Sequence, residues 1–176
     1  SDTNLFKGYP DTLFVISAGN DGKNIDADPD ATLQVPCGLK AENIICVGSS
    51  NFGDRVSNFS NYGRTSVDVF APGENIITTG SFAKHGSSGV EVVSGTSFSA
   101  PFVSGMAALA LSVNPKLTPR QIKAAVLDTA DRKPQFRGKS VSGGRVNVTR
   151  FLKRISSFYC TEHKRNSGEG RKTSYL

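Results

Sequence analysis

Ser94-Gly95-Thr96-Ser97-Phe98-Ser99-Ala100-Pro101 is the stretch on which the reading of this chain turns. A Gly-Thr turn delivers a serine to the start of residues 97–113, a segment rich in Ala, Ser and Leu that ends at Asn114-Pro115. A segment apolar nearly all round reads as a buried helix. Pro101 fits because it falls in the first turn, where N–H groups have no intrahelical partner. A hydroxyl at that place sits in the positive potential of a helix N-terminus, beside free backbone N–H groups. Both stabilise the oxyanion that forms when a hydroxyl attacks a carbonyl. Serine there also serves as an N-cap, its commoner use, so the stretch by itself leaves both roles open.

Upstream, Leu13-Phe14-Val15-Ile16-Ser17-Ala18 is a short apolar run that stops at Gly19-Asn20-Asp21-Gly22. It reads as a buried, parallel strand ending in a tight loop. Further strands are expected at 44–48 and at 67–70, the second stopped by Ala71-Pro72-Gly73. Short β segments are expected at 76–79 and 90–93, around a Gly/Ser-rich loop. Downstream, Thr118-Pro119-Arg120-Gln121 is a capping box with Pro at the first helical position. Ile122, Ala125, Val126 and Thr129 give the helix that follows one apolar face. Gly143-Gly144 turns into a short strand, and residues 148–157 form a last helix. Short buried strands with helices between them predict an α/β layered sheet.

The 176 residues, 37% hydrophobic and 20% charged, suffice for one domain with a real core. Composition excludes a collagen, a coiled coil and a wholly disordered chain. The net charge of +6 is unevenly placed: residues 150–176 hold seven Lys/Arg against two Glu, whereas residues 1–149 hold fourteen against thirteen acids. The expected division is therefore a body over 1–157 and a basic, disordered tail over 158–176. Aromatics do not interleave with the basic residues as a single-strand groove requires, so nucleic acid is not an expected partner; no apolar run reaches the length of about 18 that a membrane helix needs, so neither is a membrane. Cys37, Cys46 and Cys160 are too few for a disulfide framework. Cys37 and Cys46 are either a disulfide or two buried thiols. With His85 and His163 the only histidines, a zinc site is not expected.

Gly95-Thr96-Ser97-x-Ser99-x-Pro101-x-Val103-Ser104-Gly105 resembles the nucleophile signature of the subtilisin-like serine peptidases. Five other stretches follow the family's order. Ser17-Ala18-Gly19-Asn20 resembles its oxyanion-hole strand end, and Asn43-Ile44-Ile45-Cys46-Val47-Gly48 is similar to the next core strand. Ser57-Asn58-Phe59-Ser60-Asn61-Tyr62-Gly63 with Val69-Phe70-Ala71-Pro72-Gly73, and then Gly144-Arg145-Val146-Asn147, complete the set. The resemblance runs in register from about Leu13 to Phe151 and implies a three-layer α/β fold with a mostly parallel central sheet, incomplete at its N-terminal side.

What the resemblance implies for function is a serine endopeptidase acting on protein or peptide substrates. Ser97 would be the nucleophile and Asn20 the side-chain donor of the oxyanion hole. Ser17, Ala18, Gly19, Gln34 and Thr96 would line the substrate site, with Gln34 near the pocket floor. In this family the triad runs Asp, His, Ser along the chain. Neither an Asp nor a His motif of that kind occurs here, and Lys84-His85-Gly86 is unlike the family's His motif. Phe102 stands where the family often has a His outside the triad. The chain thus reads as the C-terminal half of a catalytic domain, inactive alone, of a protein that carries an N-terminal pro-segment. The alternative is a catalytically silent relative acting as a binding module.

The chemistry needs no cofactor. Asp26, Asp28 and Asp30 alternate in the loop after Asn20 and offer oxygen ligands for a structural calcium ion or form a solvated acidic loop. Asn58-Phe59-Ser60 and Asn147-Val148-Thr149 are glycosylation sequons, usable in a secreted protein. The chain starts Ser1-Asp2-Thr3-Asn4, without the regions of a signal peptide, and the resemblance implies the secretory pathway.

Overall fold

A computed structural model describes residues 6–27, 36–39, 41–80 and 89–166, with 158–166 as helical backbone only. Its main sheet has five strands in the order β1-β2-β3-β7-β6: β1 Phe14–Ser17, β2 Ile44–Ser50, β3 Val69–Pro72, β7 Gly144–Arg145 and β6 Asp131–Arg132. All neighbours are parallel except β6, which runs antiparallel to β7. A separate antiparallel pair joins β4 Ile76–Thr79 to β5 Val90–Val93. Three helices follow: α1 Thr96–Val113, α2 Pro119–Asp128 and α3 Val148–Asn166. The mixed α/β architecture with a mostly parallel sheet is the one expected from the sequence.

Strand alternation divides the interior into two cores. Ile45 and Val47 of β2 and Val69 and Ala71 of β3 face the helices, where Val103, Met106 and Ala110 of α1 meet Ile122, Val126, Phe151 and Ile155. Cys46 and Phe70, the intervening residues, point the other way into a smaller core with Ala18, Ile25, Val67 and Phe136. Loops close that second face, and the Phe70 and Phe136 rings stack at 5.2 Å. Cys37 and Cys46 are joined in a disulfide with Cα atoms 5.2 Å apart. It ties the segment after the acidic loop to the underside of β2. Residues 28–35, which include Asp28, Asp30 and Gln34, and the segment containing His85 lie outside the described residues.

Three expectations need correction. The strand expected at 67–70 and stopped by Ala71-Pro72-Gly73 lies instead over Val69–Pro72, because Ala71 and Pro72 continue the parallel pairing with Ser49 and Ser50 of β2. Residues 97–113 were expected to be buried on every side, but α1 buries only one. Phe102, Leu109, Leu111 and Val113 are 38–47% exposed, because among the described residues nothing packs on that face. The helix has 18 residues with mean hydropathy 1.4, long and apolar enough by composition to cross a membrane. Its inner face against the sheet is the packing of a core helix. The last helix, expected to stop at 157, runs on to Asn166: residues 156–166 include no Pro or Gly to break it.

Local chemistry accounts for the helix starts. At α2, Thr118 accepts the Gln121 N–H while the Gln121 side chain accepts the Thr118 N–H, the expected capping box. Lys123, one turn in, anchors α2 to the sheet by donating to the Ile44 carbonyl at 2.6 Å and to Asp68 at 3.0 and 3.1 Å. Burial pushes the Asp68 carboxyl above its ordinary value; Lys123 and the Cys46 N–H, 2.8 Å away, limit the rise.

Candidate active site

The C-terminal end of β1 and the N-terminus of α1 meet at one corner of the sheet. Ser97 is not the N-cap of α1: Gly95 occupies that position and no side chain caps the helix. Ser97 lies two residues inside, exposed, where its backbone N–H is one of the helix's orphan donors. The turn into the helix is fixed by contacts that need small residues. Gly95 N–H donates to the Gly73 carbonyl at 2.8 Å, and Ser99 Oγ donates to the Ala71 carbonyl at 3.0 Å. A Cβ on Gly73 would stand 2.0 Å from Ser99 Oγ and 2.6 Å from Ser49 Oγ, so only glycine lets the two segments approach this closely.

Thr96 is the hinge of the corner. Fully buried, it donates to Asn20 Oδ1 twice, from its backbone N–H at 2.9 Å and from its hydroxyl at 3.0 Å. Its hydroxyl also accepts the Gly19 N–H at 3.2 Å. With both bonds on Oδ1, the Asn20 amide has one orientation, and its Nδ2 is directed away from Thr96. Among the described residues Nδ2 has no hydrogen-bond partner. It stands 3.5 Å from where a Cβ on Gly95 would be, beside the turn that carries Ser97. The corner therefore holds a serine hydroxyl, a backbone N–H and a carboxamide N–H with no protein partner among the described residues, all on a rigid frame. Neutral donors held in place cost no reorganisation when charge develops between them.

The loop that carries Asn20 is held by Asn61, which is 1% exposed. Its Oδ1 accepts the N–H groups of Asp21 and Lys23 at 3.1 and 3.0 Å, and its Nδ2 donates to the Ala18 carbonyl and to Asp21, both at 3.0 Å. Gly19 adopts φ 96°, and a Cβ there would meet Asn61 Nδ2 at 2.5 Å. Asn61 appears in the sequence within a landmark, but nothing in its local pattern shows that it brackets residues forty positions earlier. The structure thus brings together Asn20, Ser97, Thr96, Gly19, Ala18 and Ser17 of the expected site. Gln34 and His85 lie outside the described residues, as does the side chain of His163.

The calcium expectation rests on Asp26, Asp28 and Asp30, of which only Asp26 is described. Its two oxygens accept the Thr65 and Ser66 N–H groups at 2.9 and 3.0 Å. Burial works to raise its carboxyl, but the hydrogen bonds from Ser66 and Thr65 leave it below the ordinary value. Among the described residues no three His, Cys, Asp or Glu side chains come together as a metal cluster. Asp26 thus acts here as a bracket for the turn at 63–66.

A mostly parallel sheet backed by this helix is the fold of the subtilisin-like peptidases. The chain belongs to the Subtilase family, whose family model matches residues 3–153. It is 42% identical over 123 residues to the alkaline extracellular protease of Yarrowia lipolytica, covering 66% of this chain and 25% of that protein. It is 36% identical over 126 residues to alkaline protease 2 of Aspergillus fumigatus, covering 66% of this chain and 23% of the relative. Among solved structures, the self-cleaved protease domain of PatA superposes with a TM-score of 0.67 at 29% identity, over 88% of this chain and 55% of that one. A cold-adapted subtilisin-like serine proteinase gives 0.54 at 30% identity, over 77% and 43%. The chain thus spans about a quarter of those curated relatives and about half of those solved chains.

Proposed function

We propose that Ser97 is the nucleophile of peptide-bond hydrolysis and that Asn20 Nδ2 and the Ser97 N–H form the oxyanion hole. The observation that carries this reading is the double hydrogen bond from Thr96 to Asn20 Oδ1, which leaves Nδ2 beside the Ser97 turn without a partner among the described residues. Ser97 Oγ attacks the scissile carbonyl carbon, and the two N–H groups receive the oxyanion. A base takes the hydroxyl proton and returns it to the leaving amine; water then releases the acyl group. A serine hydroxyl is a weak nucleophile without such a base. In the family's triad the base is a histidine oriented by an aspartate, and both precede the oxyanion asparagine in the chain. We place them in the part of the longer protein that this chain does not span, so the chain alone is inactive. The first test is Ser97→Ala in a protein carrying the whole catalytic domain: peptide hydrolysis disappears and folding is retained. Unchanged hydrolysis refutes the assignment.

A catalytically silent relative that binds polypeptides is the second reading. Its support is that the sequence given carries neither an Asp nor a His motif of the family's kind. It requires the longer protein to lack the Asp and His motifs, which reading its frame decides.

Secretion fits the same reading. A disulfide suits an oxidising compartment, and the Yarrowia relative is named extracellular. Of the two sequons, Asn58 is exposed, whereas both carboxylate oxygens of Asp131 hold the Asn147 amide at 3.0 and 3.1 Å. Glycan mapping of the secreted protein should find Asn58 modified and Asn147 bare.

A further inference from the structure

On the sheet edge formed by β6, a cavity of about 640 Å³ is lined by Arg64, Arg132, Lys133 and Arg137, with Pro134 and Val141 as apolar wall. Four of the fourteen cationic side chains of residues 1–149 converge there, and among the described residues no acidic one lines it. Among the described residues, the nearby acids are already committed. Asp54 is paired with Lys133 and Arg145, Asp131 with Arg145 and Arg150, and Asp26 is turned to backbone amides. Lys133 is thereby neutralised, but Arg64, Arg132 and Arg137 are exposed and have no anionic partner among the described residues. Three guanidiniums around one concavity, without an anionic partner among the described residues, leave a positive potential that attracts anions.

The cavity is also preorganised. Gly63 N–H donates to the Lys139 carbonyl at 2.9 Å, Val141 N–H to Val67 at 2.8 Å and Ser142 N–H to Asp68 at 3.0 Å. These bonds lock the loop that carries Arg64 to the loop that carries Arg137. Arg132 is fixed independently by the β6–β7 ladder. Guanidinium forks match carboxylates geometrically, and three of them around a wide concavity with an aliphatic wall suit a ligand with several separated anionic groups on a partly apolar backbone. Nucleic-acid grooves add aromatic stacking platforms, and among the described residues no aromatic side chain lines this one. We propose that the cavity docks an acidic polypeptide segment, whose carboxylates pair with Arg64, Arg132 and Arg137. The site is separate from the Ser97 corner and does not depend on its chemistry.

The test uses the 176-residue chain and a fluorescein-labelled deca-glutamate peptide, read by anisotropy at about 0.15 M ionic strength, where the Debye length is about 8 Å. Saturable binding is expected, weakened about tenfold or more by Arg64→Gln/Arg132→Gln/Arg137→Gln together, as befits loss of charge-assisted contacts. A charge-matched control, Lys7→Gln/Lys116→Gln/Lys153→Gln, removes exposed cations elsewhere and should change affinity by less than about twofold, because surface charges beyond a Debye length are screened. Circular dichroism checks that each variant folds. If the triple variant does not, Arg137→Glu alone carries the comparison and should weaken binding more than Arg137→Gln. Equal losses in the two triple variants, or no saturable binding, overturn the proposal. A single-stranded oligonucleotide that binds the same three arginines more tightly than the peptide overturns it in favour of nucleic acid. Inorganic phosphate that displaces the peptide below the peptide's own midpoint overturns it in favour of a simple oxyanion site.

Discussion

Two polar constellations, each assembled from residues far apart in sequence, end in opposite states. Around Asp54 and Asp131 every acid meets a donor: Lys133 and Arg145 on Asp54, and Asn147, Arg145 and Arg150 on Asp131. The hydrogen bonds from Lys133 and Arg145 hold the Asp54 carboxyl below its ordinary value, and that from Asn147, helped by Arg150, does the same for Asp131. The cluster closes on itself and staples β6 and β7 to the loop after β2. At the Ser97 corner the groups are neutral and the bonding stops short. Thr96 satisfies one side of Asn20 and leaves the other side, the Ser97 N–H and the Ser97 hydroxyl without protein partners among the described residues. A cluster that pairs off completely holds structure. One that leaves rigid donors aligned in one place is available to a reacting atom.

The contrast breaks most sharply at Ser97. In a protein with the complete domain, Ser97→Ala should lower kcat by about 10⁶-fold, the figure that subtilisin, of this same family, gives for its own nucleophile. Steady-state peptide hydrolysis measures it. Next comes Asn20→Leu, which removes the N–H donor at similar volume. A loss of about 10²–10³ in kcat with KM little changed is expected, again the figure known from subtilisin. A KM effect with normal kcat would make Asn20 a substrate-positioning group.

Thr96→Val is a milder probe of the same corner. It keeps the backbone bond to Asn20 but deletes the hydroxyl that donates to Asn20 and accepts from Gly19. One net hydrogen bond of about 1 kcal/mol corresponds to a several-fold, at most about tenfold, fall in kcat. Asn20→Leu/Thr96→Val should then be no worse than Asn20→Leu, since Thr96 acts through Asn20. Additive losses would show that it acts otherwise.

The closed cluster gives the smallest effect, and on stability alone. Asp54 has its folded pKa depressed below 3.8, so its contribution is present above about pH 3.8 and is lost as pH falls through the folded value. Asp54→Asn should lower the urea midpoint modestly at pH 7, by about 1 kcal/mol or less for a partly exposed pair. The gap to wild type should narrow as pH drops below 3.8. A gap that stays constant with pH would mean that packing, rather than charge, carries the cluster.

Much of this was legible beforehand. Strands at Ile76–Thr79 and Val90–Val93 fall where expected, and the Thr118 capping box forms as its spacing required. The losses have physical causes. β6 has two residues, too few for any periodicity. α1 carries apolar residues all round, so its sequence does not distinguish the face that meets the sheet from the one that is bare. Asn20 and Thr96 are individually marked by their motifs, but the bond that orients the carboxamide spans 76 positions and exists only in the fold. Asn61 and the disulfide partner choice are likewise settled by tertiary approach rather than by local pattern.

Covalent labelling tests the central claim most directly. A fluorophosphonate reacts only with a serine hydroxyl that has a base beside it and an oxyanion hole to receive the developing charge. Incubated with a protein carrying the complete catalytic domain and mapped by mass spectrometry, it should modify Ser97, while the same reagent leaves the 176-residue chain unmodified. An adduct on Ser94 or Ser99, or equal labelling of Ser97 in both proteins, would contradict a nucleophile that has its oxyanion hole in this chain and its base outside it.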